Sequence, residues 1–379
     1  TGKNFIHLHR KDRKGFKAGA LKEGLETAKG EFIAIFDADF LPEKDWLLKT
    51  IAYFKDEKIG VVQTRWGHLN RNFSLLTKIQ AFALDYHFIL EQNGRSNGDH
   101  FINFNGTAGI WRKKCILDSG NWQGNTLTED LDLSYRAQLK NWKFKYLENV
   151  ETPAELPITL AAARSQQFRW NKGAAENFQK NFKKVIFDPK IGFGTKIHGF
   201  FHLLNSSLFL IILMLAILSV PVLFLLNSRE GDYFLYIISF FSLSSLIFFI
   251  CFWLTFPDEK SATKTASFLK FIPRIISFFS IAMGFSVHNS QAVLEGHFGK
   301  KSDFIRTPKF NISENSKYKN PKRAFLEEIP GTFFIELILL AYFCFGIYSA
   351  FHLDNFSMIL FHLMLVFGFG FIIFKSVFK

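Results

Sequence analysis

Three short stretches place chemistry-bearing side chains close together. Asp37-Ala38-Asp39 sets two carboxylates two residues apart. Oxygen donors at that spacing can share one Mg²⁺ or Mn²⁺, ions commonly held by one or two carboxylates plus substrate phosphates. The same pair also suits plain turn chemistry after a strand. Asp130, in Leu127-Thr128-Glu129-Asp130, is a candidate general base for a hydroxyl nucleophile; its alternative is a carboxylate that favours a helix amino end. Gln166-Gln167-Phe168-Arg169-Trp170 joins an Arg able to neutralise a leaving diphosphate to a Trp whose flat face can stack on a sugar ring. An Arg and a Trp just before an apolar run also serve as membrane-surface anchors.

Local elements must hold these groups in place. Phe32-Ile33-Ala34-Ile35-Phe36 is a short apolar run ending at Asp37, which predicts a buried parallel strand. Before it, Ala18 to Ala28 has helix formers with apolar residues at helical spacing, giving the helix-then-strand order of an α/β sheet. Side chains just past the carboxyl end of such a strand face the crevice where these sheets bind ligands. Thr128 and its acidic neighbours offer a helix start, with Asp130 near its amino end. Phe144 to Tyr146 reads as another short strand.

The chain is uneven in hydropathy. Through about residue 190 it mixes charged and apolar residues, and from about Gly199 long apolar runs alternate with short polar loops. Runs of roughly 20 apolar residues cross about 30 Å of hydrocarbon, which predicts spans at about 199–226, 232–256, 332–353 and 356–375. The stretch at about 268–291 carries Lys270, Pro273, Arg274, His288 and Asn289, and reads as an interfacial or re-entrant helix. The net charge of +13 fits the Lys and Arg excess of cytoplasmic membrane-protein loops and argues against a nucleic-acid partner. Cys115, Cys251 and Cys344 are odd in number and far apart, so they form neither a disulfide framework nor a zinc site; Cys115 reads as a small core residue.

The order D-x-D, T-E-D and Q-x-x-R-W immediately before apolar spans resembles the processive family-2 glycosyltransferases, the cellulose synthase and cellulose-synthase-like enzymes with their mannan and glucan synthase-like branches. Lys17-Ala18-Gly19 resembles the K-A-G element of that family, and Phe104-Asn105-Gly106-Thr107-Ala108-Gly109 its F-N-G-T-A-G segment. Phe304-Ile305-Arg306-Thr307-Pro308-Lys309 resembles the F-x-V-T-x-K gating loop, with Arg306 where that pattern has Val. The likeness extends over roughly residues 10–310.

The resemblance implies an α/β GT-A-like nucleotide-sugar-binding domain at 1–185, lacking its first strands, and an α-helical transmembrane region at 186–379 with a gating-like loop at about 298–325. The family aspartate that contacts the nucleoside is expected upstream of Thr1. The implied roles put Asp37 and Asp39 on the metal and donor diphosphate, with Lys17 and Gln166 beside the donor. Asp130 is the base, oriented by Thr128 and Glu129, and Arg169 completes the donor site. Trp170, Thr107, Gly106 and Asn105 lie toward the acceptor, and Phe304, Arg306, Thr307 and Lys309 form the gate.

The implied activity is inverting, processive elongation of a β-linked glucan or mannan, with Mg²⁺ or Mn²⁺ as cofactor. UDP-glucose is the first choice of donor and GDP-mannose the second. The implied setting is a multi-pass protein of the plasma or inner membrane, with the catalytic domain cytoplasmic, a growing polysaccharide and the lipid bilayer as partners, and room for secretion or accessory subunits. A gate must reach the donor pocket, and the basic stretch Lys300, Lys301, Arg306, Lys309, Lys317, Lys319, Lys322 and Arg323 belongs inside; both place that loop on the cytoplasmic face. A non-processive ceramide-type glucosyltransferase is one rival. A non-catalytic channel or polymer-binding subunit with a degenerate transferase domain is another, against which the intact Asp37, Asp39, Asp130 and Arg169 argue.

Overall fold

The computed structural model describes residues 5–227, 245–256, 263–312 and 329–378. Its first half is a mixed sheet wrapped by helices. The strands are β1 (Phe32–Ile35), β2 (Ile59–His68), β3 (Gly109–Arg112) and β4 (Lys143–Ala154), in the order β1-β3-β2-β4. β3 runs antiparallel to both its neighbours, while β2 and β4 are parallel and paired along most of their length. The apolar run at residue 32 runs the same way as β2 and β4, but its neighbour β3 is reversed, so it pairs antiparallel where a parallel strand was predicted, and Ala34 on it is exposed. A five-residue apolar run carries no sign of strand direction and cannot say that one edge stays open.

The predicted helix before β1 is α1, Phe16–Thr27, and the strand predicted at 144–146 lies at the start of the longer β4. Val61, Trp111, Leu133 and Phe104 make the core under α1 and α6 (Glu129–Leu139). Cys115 belongs to that core; burial pushes its thiol up to about 12, which removes it as a nucleophile.

Long helices follow. α7 (Leu160–Phe187) starts where the Thr159 hydroxyl accepts from Ala162 N at 3.2 Å, and it runs two residues past the expected domain boundary at 185. α8 (Phe193–Leu204) leads into α9 (Leu208–Leu226), and together residues 193–226 are long and apolar enough to cross a membrane, as are α11 (Lys264–Gly284), α13 (Phe333–His352) and α14 (Ile359–Val377). Three of these cover the spans expected at 199–226, 332–353 and 356–375. Of the span expected at 232–256, residues 228–244 lie outside the described residues, and Ser245–Leu254 is a short apolar helix, α10. The stretch at 268–291 divides into α11 and α12 (Ser286–His297), broken at Phe285 rather than at Pro273, which stays inside α11. Lys317, Lys319, Lys322 and Arg323 also lie outside the described residues.

α7 belongs to both halves. Lys172, fully buried, reaches Glu295 of α12 at 3.1 Å, and Arg164 reaches the fully buried Glu336 of α13 at 2.7 Å. Gly296 brings α12 so near that a side chain there would meet the Lys172 carbonyl and the Ala175 methyl. Deeper down, a side chain on Gly368 of α14 would run into the Ser280 carbonyl of α11, so these two helices touch backbone to backbone. Glu336→Ala is expected to leave Arg164 buried and unpaired and to cost about 3–5 kcal/mol, measurable as a lowered unfolding transition of the detergent-solubilised protein.

Candidate active site

All the expected site residues but Thr107 converge on one cavity of about 970 Å³ at the carboxyl end of β1. The turn after β1 supplies Asp37 and Asp39, the start of α6 supplies Glu129 and Asp130, and α7 supplies Gln166, Arg169 and Trp170. α1 adds Lys17, the segment before β3 adds Asn105 and Gly106, and Phe304, Arg306, Thr307 and Lys309 close one wall.

Both aspartates of the D-x-D pair face a lysine. Lys17 Nζ donates to Asp37 Oδ1 at 2.7 Å and to the Gly106 carbonyl at 2.9 Å. Burial works against the charge on Lys17, but Asp37 first, then Glu129 and Asp130, outweigh it and hold the ammonium protonated. Lys309 Nζ lies 2.7 Å from Asp39 Oδ2, and that buried oxygen has no aligned hydrogen bond. Two carboxylates with cationic nitrogens already against them form a hard-oxygen set that suits a divalent cation completed by phosphate oxygens. Among the described residues no cluster of three or more His, Cys, Asp or Glu could bind a metal alone.

Thr107 departs from its expected place. It is buried, outside the cavity lining, and its hydroxyl accepts from the Asp37 backbone N–H at 2.8 Å, so it braces the turn that carries the two aspartates. Buried Gln63 of β2 fixes the same segment. Its Nε2 donates to the carbonyls of Thr107 and Ala108, and its Oε1 accepts from Asn105 N at 3.0 Å. An isolated Gln in an apolar strand gave no sign of this.

Asp130 sits in the first turn of α6. Its Oδ1 accepts from Leu131 N at 2.8 Å, which leaves Oδ2 toward Gly106. Burial pushes the Asp130 carboxyl up to about 6 and that of Glu129 to about 7, with the two acids side by side and Lys17 opposing the rise in both. Gly106 has φ +83°, and a β-carbon there would lie 2.9 Å from Asp130 Oδ2. Gly106→Ala is therefore expected to strain the backbone and displace the carboxylate, cutting turnover at least tenfold while nucleotide affinity changes only a few-fold; steady-state kinetics beside nucleotide titration checks this.

Thr128 occupies the cap position of α6 without capping it. Its hydroxyl instead accepts from Asn177 Nδ2 of α7 at 3.0 Å, and a side chain on Gly173 would lie 2.5 Å from Thr128 Oγ1. Gly173 and Asn177 thus press α7 against the turn bearing Asp130. Neither stood out in the sequence, although a Gly inside a polar helical run is the one trace that close approach leaves.

Arg169 is engaged with the segment expected to gate the cavity. It donates to the Ile305 carbonyl and to Thr307 Oγ1 at 3.0 Å, and its guanidinium lies over the Phe304 ring at 4.7 Å. Burial lowers its pKa, while Glu129 and Asp37 pull the other way. Beyond Lys309 the segment is pinned by Glu155, a residue the sequence reading passed over, whose carboxylate accepts from the backbone N–H of Phe310 and Asn311 at 3.0 and 2.8 Å. Arg306 is exposed, and Trp170 tilts toward Trp66 with ring centroids 6.4 Å apart.

The sequence model of the family described as glycosyltransferase like family 2 matches residues 3–173. These residues match a family-2 glycosyltransferase domain and take in all four strands of the mixed α/β sheet. Among relatives, a probable glucomannan 4-beta-mannosyltransferase 4 of Oryza sativa subsp. japonica is 46% identical over 52% of this chain and 36% of its own length. Glucomannan 4-beta-mannosyltransferase 1 of Cyamopsis tetragonoloba is 44% identical over 52% of this chain and 38% of its own. The match thus spans little more than a third of such relatives. A mannosyltransferase from Pyrobaculum calidifontis, solved in complex with GDP-Man and Mn²⁺, aligns over 75% of this chain and 67% of its own, at 13% identity and a TM-score of 0.41.

Proposed function

We propose that the chain is the catalytic part of a membrane-embedded, inverting, processive glycosyltransferase that extends a β-linked mannan or glucomannan. The observation that carries this reading is the gathering of Asp37, Asp39, Asp130, Arg169 and Trp170 in one cavity, in a chain with four helices long and apolar enough to cross a membrane among the described residues. In the reaction, an acceptor hydroxyl oxygen attacks the donor's anomeric carbon, the bond to the nucleoside diphosphate breaks, and the hydroxyl proton passes to Asp130. Attack in line with departure turns an α-linked donor into a β-linked product. Asp37 and Asp39 would hold a divalent cation, which supplies charge neutralisation to the diphosphate. Arg169 adds a second cation there. Trp170 and Trp66 offer aromatic faces to the acceptor chain.

GDP-mannose becomes the first choice of donor and UDP-glucose the second, because the relatives quoted above are named as mannosyltransferases. Membranes containing the full-length protein are expected to build an alkali-stable polymer from labelled GDP-mannose that a β-mannanase degrades. A single-sugar lipid as the sole product would favour the glycolipid transferase, and incorporation from UDP-glucose alone would reverse the donor order.

A further inference from the structure

A second cavity, of about 320 Å³, lies away from the active site between two helical stretches. Glu91 and Arg95 come from the π-helical turn at Tyr86–Gln92 and from α4 (Asn93–Asn97); His198, Phe201, His202 and Asn205 come from α8 and the turn after it. Arg95 is the unusual member. Its Nε and Nη2 are shut off from solvent and meet no hydrogen-bond acceptor. Glu91, the acid on the cavity wall, is held by His87 Nδ1 at 2.9 Å. The Tyr135 hydroxyl engages His202 Nδ1 at 2.8 Å and leaves Nε2 for the cavity. His198 is fixed by stacking on His100, with centroids 3.9 Å apart. A guanidinium with two nitrogens lacking acceptors, balanced only at a distance by the His87-bound Glu91 and flanked by imidazole donors, suits a tetrahedral oxyanion.

The position of the cavity says which kind. α9 has 19 residues, a rise of about 28 Å that matches a hydrocarbon core, so α8 stands at headgroup level. On α8, Phe193, Ile197 and Phe201 are spaced four apart and are 79, 41 and 65% exposed, a single apolar stripe ending at the cavity. We propose that this cavity seats the phosphate of a membrane phospholipid on Arg95, with His198 and His202 as further donors and an acyl chain along the stripe. The site rests on the membrane reading of α9 and not on the glycosyl-transfer reading.

Native mass spectrometry of the full-length protein in detergent, titrated with phosphatidylglycerol or with inorganic phosphate, tests it. The wild type is expected to retain phosphatidylglycerol, Arg95→Gln to weaken it at least tenfold, and Phe201→Ser several-fold. Equal lipid affinity in wild type and a folded Arg95→Gln overturns the proposal. Because two Arg95 nitrogens are shut off from solvent and its variant could fail to fold, the exposed Phe201→Ser stands as an independent test, in which unchanged lipid affinity also overturns it. Inorganic phosphate binding the wild type as tightly as the lipid does would make this a free-phosphate site and overturn the lipid assignment.

Discussion

Asp130→Asn is expected to lower turnover by on the order of 10² to 10⁴ in the full-length protein, the usual contribution of a positioned base, with donor affinity within a few-fold of wild type. The substitution keeps the shape and the Leu131 contact but removes the proton acceptor. It should also stabilise the fold. Because burial raises the Asp130 carboxyl to about 6, ionising it in the folded protein costs more than in the unfolded chain, so stability is lost as pH rises from the ordinary carboxylate range through about 6. The Asn variant escapes that loss and should melt a few degrees higher at neutral pH. The same sign governs activity: kcat/KM in the wild type is expected to fall about tenfold per pH unit below about 6, a limb tied to Asp130. Turnover like wild type in Asp130→Asn would remove this residue from the mechanism.

Removal of divalent cations is expected to abolish transfer, Mg²⁺ or Mn²⁺ to restore it, and Asp39→Ala to stay inactive at any metal concentration. The lysine contacts add a finer expectation. Lys309 lies against the Asp39 oxygen that a cation would use, and the pair is partly exposed, 32 and 17%, so its strength is about 0.5–1 kcal/mol. Lys309→Ala should therefore tighten Mn²⁺ binding to the donor-free protein by about two- to five-fold, as read by the free Mn²⁺ resonance signal. Full activity in excess chelator would sink the metal role, and unchanged Mn²⁺ affinity in Lys309→Ala would separate the lysine from it.

Most of the candidate site was legible because its residues stand in short, local patterns. Asp37 with Asp39, Asp130 in its helix start, and Arg169 with Trp170 stood out as candidates by residue type and spacing, took their expected roles from the family resemblance, and share one cavity. What escaped were contacts between distant residues. Glu155 pins Phe310 and Asn311 more than 150 residues later in the chain, and nothing local to either partner announces it. Gly173 and Asn177 lie in an ordinary polar helical run, and their meaning appears only once α7 packs on the turn at Thr128. Thr107 was placed toward the acceptor by resemblance, whereas its hydroxyl is spent on Asp37 N. The parallel pairing expected of β1 was not found, for the reason already given: hydrophobic runs encode burial better than pairing.

The doubly anchored helix α7 has a practical corollary. A boundary at 185, sensible from hydropathy, would end a catalytic fragment on a helix whose inward face carries the full charges of Arg164 and Lys172, with their acidic partners left behind on α12 and α13. Such a fragment has no natural seam. Its cut face would combine bare apolar surface with stranded cations, and the stretch that aims Arg169 and Trp170 into the cavity would lose the scaffold that keeps it straight. The transferase and the membrane helices are therefore to be purified, mutated and assayed as one body.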